Sequence, residues 1–136
     1  MMPGRFITLE GGEGTGKSTQ ARLLCTALQA RGLGVLLTRE PGGTPGAELI
    51  RALLLDAGND WTPAAEALLF AAARADHVAK AIRPALAAGQ WVICDRFIDS
   101  TRAYQGGADG LPDDDLMELH RIGSAGLLPD CTLMLE

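Results

Sequence analysis

Cysteine is scarce in this sequence, and the three present, Cys25, Cys94 and Cys131, are odd in number and widely spaced. All three are embedded in apolar runs. That suits buried thiols in a reducing compartment better than a disulfide framework or a zinc site. Histidine is scarcer still. His77 and His120 lie within helical patterns with no second ligand at metal spacing, so each is assigned a structural role. Positive charge is in deficit: 12 Lys and Arg against 17 Asp and Glu leave a net charge of −5. Whole-surface attraction for nucleic acid is thereby excluded, and any polyanion must be held by a local cluster of arginines and lysines. No apolar stretch is long enough to span a bilayer. Met1-Met2-Pro3-Gly4-Arg5 runs straight towards the first strand without a secretory core, so the expectation is a cytoplasmic protein that does not engage membranes. No repeat is present, and Ala71-Ala72-Ala73 has helical rather than low-complexity spacing. With 136 residues, the chain is expected to form one domain, 1–136, with a core of adequate size.

Against these absences stands Gly11-Gly12-Glu13-Gly14-Thr15-Gly16-Lys17-Ser18, which fits the P-loop pattern G-x-x-x-x-G-K-[ST] at every fixed position. Phe6-Ile7-Thr8-Leu9 precedes it as a strand and a helical pattern follows. Such a loop turns backbone N–H groups inward around a phosphate, in backbone conformations that glycine alone reaches freely. Lys17 would place a charge near the β- and γ-phosphates, Ser18 would ligate Mg²⁺, and the start of the helix at Ser18-Thr19 would add its positive dipole. The expected ligand is a nucleoside triphosphate with Mg²⁺.

Ala21, Leu24, Cys25 and Leu28 then recur at i, i+3, i+4 and i+7 until Gly32 and Gly34, which marks an amphipathic helix. Val35-Leu36-Leu37-Thr38 is a continuous apolar run, expected as a parallel strand covered on both faces and completing a βαβ unit. Arg39-Glu40-Pro41-Gly42-Gly43-Thr44-Pro45-Gly46 carries turn residues at a strand's C-terminal end, where open α/β sheets hold ligands, and reads as a substrate loop. A helix is expected from Ala47 to about Leu55, with Ile50, Leu53 and Leu54 inward and Arg51 off the stripe. Thr62-Pro63 caps a long helical stretch that Pro84 must kink or divide and Gly89 ends. Phe70 and Arg74, four apart, share one face and could together hold a nucleobase; spacing alone equally allows Phe70 in the core and Arg74 in solvent.

Trp91-Val92-Ile93-Cys94-Asp95 is the next buried strand, and Asp95 resembles a Walker B acid placed near the Ser18 metal. Arg96 can bind a phosphate bidentately opposite the loop. Ser100 to Gln105 offers hydroxyl and amide groups near the same edge. Leu111-Pro112 opens the last helix, with Asp113-Asp114-Asp115 as a cap and dipole-favoured acids. Pro129 precedes a final strand, Cys131 to Leu135.

Five stretches together resemble the thymidylate kinase family, P-loop kinases that transfer the γ-phosphate of ATP to thymidine 5′-monophosphate: Leu9-Glu10-Gly11 with the loop, Thr38 to Thr44, Leu69 to Arg74, Asp95-Arg96-Phe97, and Ala103 to Gly107. The resemblance covers the whole chain. It implies a three-layer α/β/α P-loop fold on a mostly or wholly parallel sheet, and a homodimer. It also implies that Glu13 approaches the deoxyribose 3′-hydroxyl, that Arg39, Arg51 and Arg96 serve the monophosphate beside Glu40, and that Phe70 stacks on thymine. Arg74 would bind an exocyclic oxygen of the base, with Thr101, Tyr104 and Gln105 near base and sugar. The expected chemistry is in-line transfer by positioning and electrostatics, with Lys17, Arg96, Asp95 and Glu13 as the catalytic set and Ser18 and Asp95 at the metal. Whether Asp95 acts through the metal's water or orients the acceptor stays open. Where some members carry an arginine in the loop, this chain has Gly14; bacterial-type members use arginines of a lid, which should follow the strand ending at Glu136. The chain is therefore expected to stop before that lid, the last strand and the last helices. The alternatives are another nucleoside or nucleotide kinase on the same scaffold, which needs no Phe70/Arg74 pair, and a switch ATPase, which has no use for Arg39 and Arg96.

Overall fold

The computed structural model describes residues 4–136, so the expectation for Met1-Met2-Pro3 lies outside the described residues. In chain order the elements are β1 (Phe6–Glu10), α1 (Lys17–Ala30), β2 (Val35–Arg39), α2 (Pro45–Leu55), α3 (Pro63–His77), a π-helical turn (Val78–Ile82), α4 (Arg83–Ala87), β3 (Trp91–Asp95), α5 (Ile98–Tyr104), α6 (Asp113–Ser124) and β4 (Cys131–Met134). The strands form one parallel sheet in the order β2-β3-β1-β4.

Alternation along the strands sends side chains to two cores. Phe6, Val92 and Cys94 meet Val78, Ile82, Ala85, Phe97 and Ile98 on one face. Leu9 and Ile93 meet Ala21, Cys25 and Leu28 of α1 on the other. The result is a three-layer α/β/α protein, as expected from the apolar runs. Phe6 and Phe97 pack edge to face, ring centroids 4.9 Å apart, a geometry that contributes about 0.5–1.5 kcal/mol beyond burial.

Several expectations are corrected. The expected βαβ unit is present, with β3 lying between β1 and β2, but the coverage expected of β2 is not. β2 is not covered on both faces: it is a sheet edge, only partly buried, with Leu37 exposed. An apolar strand does not reveal which strands will flank it. α2 begins at Pro45, with the Thr44 hydroxyl accepting from the Ala47 N–H at 3.2 Å. It packs on α3 through Ala47, and Leu53, expected inward, is exposed. Cys25 and Cys94 are buried, but Cys131 on the outer strand β4 is exposed. Pro112, not Asp113, occupies the N-cap of α6, and Asp113 instead accepts two N–H groups from Arg102 at 2.8 and 3.0 Å.

Pro84 divides its helix as expected, and the structure shows how. The Arg83 N–H bonds to Val78 O, five residues back, so a widened turn absorbs the conflict between the proline ring and the preceding turn.

Candidate functional site

The first half of the site is local in the chain. Gly11, Gly14 and Gly16 have φ of 146°, 76° and 86°, and Gly16, with no side-chain cap, starts α1 directly at Lys17. The free N–H groups of the helix start therefore belong to the loop. A Cβ at Gly12, Gly14 or Gly16 would meet nothing within 4 Å, so the cradle is open where a phosphate would enter. Lys17 is buried, and its Nζ donates to Gly12 O at 2.9 Å. Thr15 Oγ1 donates to the same carbonyl.

Asp95 ends β3 on the face that α1 covers. Its Oδ1 is buried without a hydrogen-bond partner, and it lines the same cavity as Ser18, of about 450 Å³, with Glu13, Lys17, Thr19, Arg39, Arg51 and Arg96. A hydroxyl and an unpaired carboxylate oxygen are ligands suited to a hard divalent cation. In this state Ser18 Oγ accepts from Arg22 at 2.9 Å.

The second half is assembled from distant segments. A cavity of about 370 Å³ is lined by Phe70 and Arg74 of α3, Thr101 and Tyr104 of α5, Gln105, and Glu40, Pro41 and Arg51 near α2. Phe70 is half-buried and lines the opening. Glu13, Glu40, Arg51 and Arg96 line both cavities, so the two adjoin along a shared wall. Arg39 does not reach the second: it lies in the first, 3.4 Å from Glu48.

Arg96 sits at the junction in the left-handed region, with φ 71°. A non-glycine residue there stores about 1–3 kcal/mol, which the surroundings must offset. Here its N–H bonds Leu9 O at 2.9 Å, and its guanidinium donates to Glu13 at 2.9 Å while facing the Tyr104 ring at 5.3 Å. Arg51 donates to Pro41 O at 2.8 Å, and burial lowers its pKa. Glu13 is almost fully exposed apart from its pair with Arg96.

Arg74 overturns the solvated reading that spacing allowed. It is 4% exposed, donates through Nε to Glu40 Oε1 at 2.6 Å and through Nη2 to Thr101 Oγ1 at 3.0 Å, and lies over the Phe97 ring at 5.1 Å. Glu40, expected to serve the substrate, is itself buried and is committed to Arg74 and His77. Gln105, also buried, donates to Glu66 at 2.8 Å.

Three residues around the site were given no role from the sequence: Glu66 and Phe97, which line the second cavity, and Glu10, which accepts from the Phe97 N–H. Glu66 had a signal, since Glu66, Phe70 and Arg74 recur every fourth residue on one helix face. Glu10 had a weaker one, as a carboxylate closing an apolar strand. Burial raises its pKa, opposed by hydrogen bonds from the Ser100 hydroxyl and the Phe97 and Ser100 N–H groups. Ser100 links Glu10 to Arg96, from which its hydroxyl accepts at 3.4 Å. Nothing in the local sequence marks that bridge.

A glycine-rich cradle at a β1–α1 turn, beside a second cavity that has an aromatic face, buried donors and two arginines in common with the first, defines a P-loop α/β protein. The family model described as thymidylate kinase matches residues 9–136, and the chain belongs to that family. It is 70% identical to a thymidylate kinase of Rhizorhabdus wittichii, over 99% of this chain and 65% of the relative. It is 57% identical to one of Chromohalobacter salexigens, over 100% of this chain and 65% of the relative. The chain thus spans about two thirds of the length of the curated relatives it matches. The crystal structure of thymidylate kinase from Ehrlichia chaffeensis superposes with a TM-score of 0.91 at 42% identity, covering 99% of this chain and 77% of that one.

Proposed function

We propose that this protein transfers the γ-phosphate of ATP to thymidine 5′-monophosphate. The observation that carries the reading is that Arg51 and Arg96 line both cavities, because a phosphoryl donor and acceptor must share one wall where the phosphate passes. The names of the relatives point to the same reaction.

In this reading Gly11, Gly12, Gly14, Thr15, Gly16, Lys17 and Thr19 cradle the triphosphate. Ser18 and the unpaired Asp95 oxygen hold Mg²⁺, which supplies charge neutralisation at the phosphates when bound. Arg39, Arg51 and Arg96 draw in the acceptor phosphate, and Glu13 accepts a hydrogen bond from the sugar. Phe70 stacks on the base at about 1–3 kcal/mol, while Arg74, Thr101, Tyr104 and Gln105 recognise its edge and the sugar. Transfer is in line, driven by alignment and by donors already placed where charge develops.

Leu49 and Leu53 of α2, Leu68 of α3 and Ile122 of α6 leave apolar side chains in solvent, and we place a homodimer interface there. Among the described residues no helix is long and apolar enough to cross a membrane; a cytoplasmic location, with nucleotides rather than nucleic acid or membrane as partners, is part of the proposal. Calorimetric titration with thymidine 5′-monophosphate and, separately, adenosine 5′-monophosphate tests the acceptor. Saturable binding of the first with much weaker binding of the second is expected. Equal affinities would overturn the thymidine assignment.

A further inference from the structure

Three buried groups, the Glu40 carboxylate, a His77 ring nitrogen and the Cys94 thiol, lie within 4.8 Å of one another. The spacing is that of a metal site, but their chemistry is committed otherwise. His77 has no exposed surface and both its nitrogens are engaged: Nδ1 with Glu40 Oε2 at 2.8 Å and Nε2 with Thr38 Oγ1 at 2.7 Å. Glu40 spends its other oxygen on Arg74. The Cys94 thiol donates to Arg96 O at 3.1 Å, and burial pushes its pKa well up, so in this state it is a neutral thiol engaged with the backbone.

Three segments converge on this imidazole: β2 through Thr38, the substrate loop through Glu40 and Gly43, and α3, which carries both His77 and Arg74. A Cβ at Gly43, where φ is +97°, would run into the His77 ring and the Thr38 hydroxyl, so the loop backbone rests directly on the imidazole. His77 is thus the joint at which the loop bearing Glu40 is fixed to the helix bearing Arg74. Glu40 has two oxygens and two partners, and its orientation is set only while both are present. Removing the imidazole leaves one carboxylate oxygen unheld and loosens the Arg74 anchor, which then rests on a singly held Glu40, the Thr101 hydroxyl and the Phe97 ring.

We propose that His77 is a positioning residue for acceptor recognition, acting through Glu40 to hold the Arg74 guanidinium at the edge of the base pocket. The role rests on the acceptor reading above and adds to it a residue that never touches substrate. Recognition by a fixed donor fork is sensitive to small displacements, since each hydrogen bond weakens steeply with misalignment.

The test compares His77→Leu with His77→Asn, whose amide N–H takes the place of Nδ1 towards Glu40. Binding of thymidine 5′-monophosphate and of a non-hydrolysable ATP analogue is measured for both variants and the parent protein. In His77→Leu the acceptor affinity is expected to fall at least tenfold with the ATP-analogue affinity within twofold. In His77→Asn the acceptor affinity is expected to recover to within threefold of the parent. Retained ATP-analogue binding shows that each variant is folded. If the parent binds the acceptor and His77→Leu binds it equally well, or if Asn fails to rescue, the positioning role is overturned. A proportional loss of both ligands in His77→Leu would make the residue purely structural and would also overturn it. If the parent itself does not bind thymidine 5′-monophosphate, the acceptor reading fails first.

Discussion

The two cavities are built by opposite strategies. The phosphate cradle is made of eight consecutive residues, its donors are mostly backbone N–H groups, and several of its glycines face open space. The second cavity, the proposed acceptor pocket, draws on the loop after β2 and on α2, α3 and α5, and its buried groups are fixed by charges and hydroxyls between residues 34 and 27 positions apart. A backbone cradle survives most side-chain changes elsewhere, because its shape is set by local φ and ψ. A pocket held by a buried ion pair couples ligand recognition to stability, because removing one partner strands the other.

That contrast ranks the outcomes. The largest is expected from Glu40→Ala, which leaves the Arg74 guanidinium buried without its counter-charge. Breaking such a pair costs about 3–5 kcal/mol, read as a lower urea midpoint with the slope unchanged. A loss below 1 kcal/mol would mean that the pocket does not depend on the pair. Lys17→Ala should leave the fold nearly intact and slow phosphoryl transfer by roughly 10²–10³, the scale for losing one preorganised donor, as followed by steady-state assay. Phe70→Ala should weaken thymidine 5′-monophosphate by about 1–3 kcal/mol, the scale for stacking of one base, with the ATP analogue unaffected.

The smallest effect is on pH dependence and involves His120, which packs on Phe97 beside the pocket. Its Nε2 lies 2.6 Å from Leu127 O and so donates, while Nδ1 is buried without a partner. Burial lowers its pKa, with Arg74 and Arg83 adding to the effect and the Leu127 carbonyl and Glu40 opposing it. A histidine with a depressed folded pKa contributes stability that is present above its unfolded pKa, about 6.5, and lost as pH falls towards the folded value. Thermal melts should therefore show a decline on acidification below about pH 6.5 that His120→Gln reduces. An unchanged decline would assign the titration to other groups.

What was legible in the sequence follows the same division. The cradle is contiguous, so Gly11 to Ser18 could be read at once, and strands β1 and β3 were plain because their apolar runs end in Gly and Asp. Sheet order was not legible: the same run, Val35 to Thr38, suits a central or an edge strand, and only the placement of β3 between β1 and β2 makes it an edge. Arg74 was ambiguous because the partner that draws it inward, Glu40, is 34 residues away. His77 was read as structural for want of a second ligand nearby in sequence, and the groups it serves come from a strand and a loop on the far side of α2. Cys131 was misread because its run is as apolar as that of Cys94, and exposure depends on which side of the sheet lacks a neighbour.

The independence of the two regions is tested most directly by one crossed titration: Lys17→Ala and Phe70→Ala, each against thymidine 5′-monophosphate and a non-hydrolysable ATP analogue. The account predicts a separable pattern, in which Lys17→Ala weakens only the triphosphate and Phe70→Ala only the monophosphate. Loss of both ligands in both variants, from folded protein, would contradict it, because the two cavities would then be a single site.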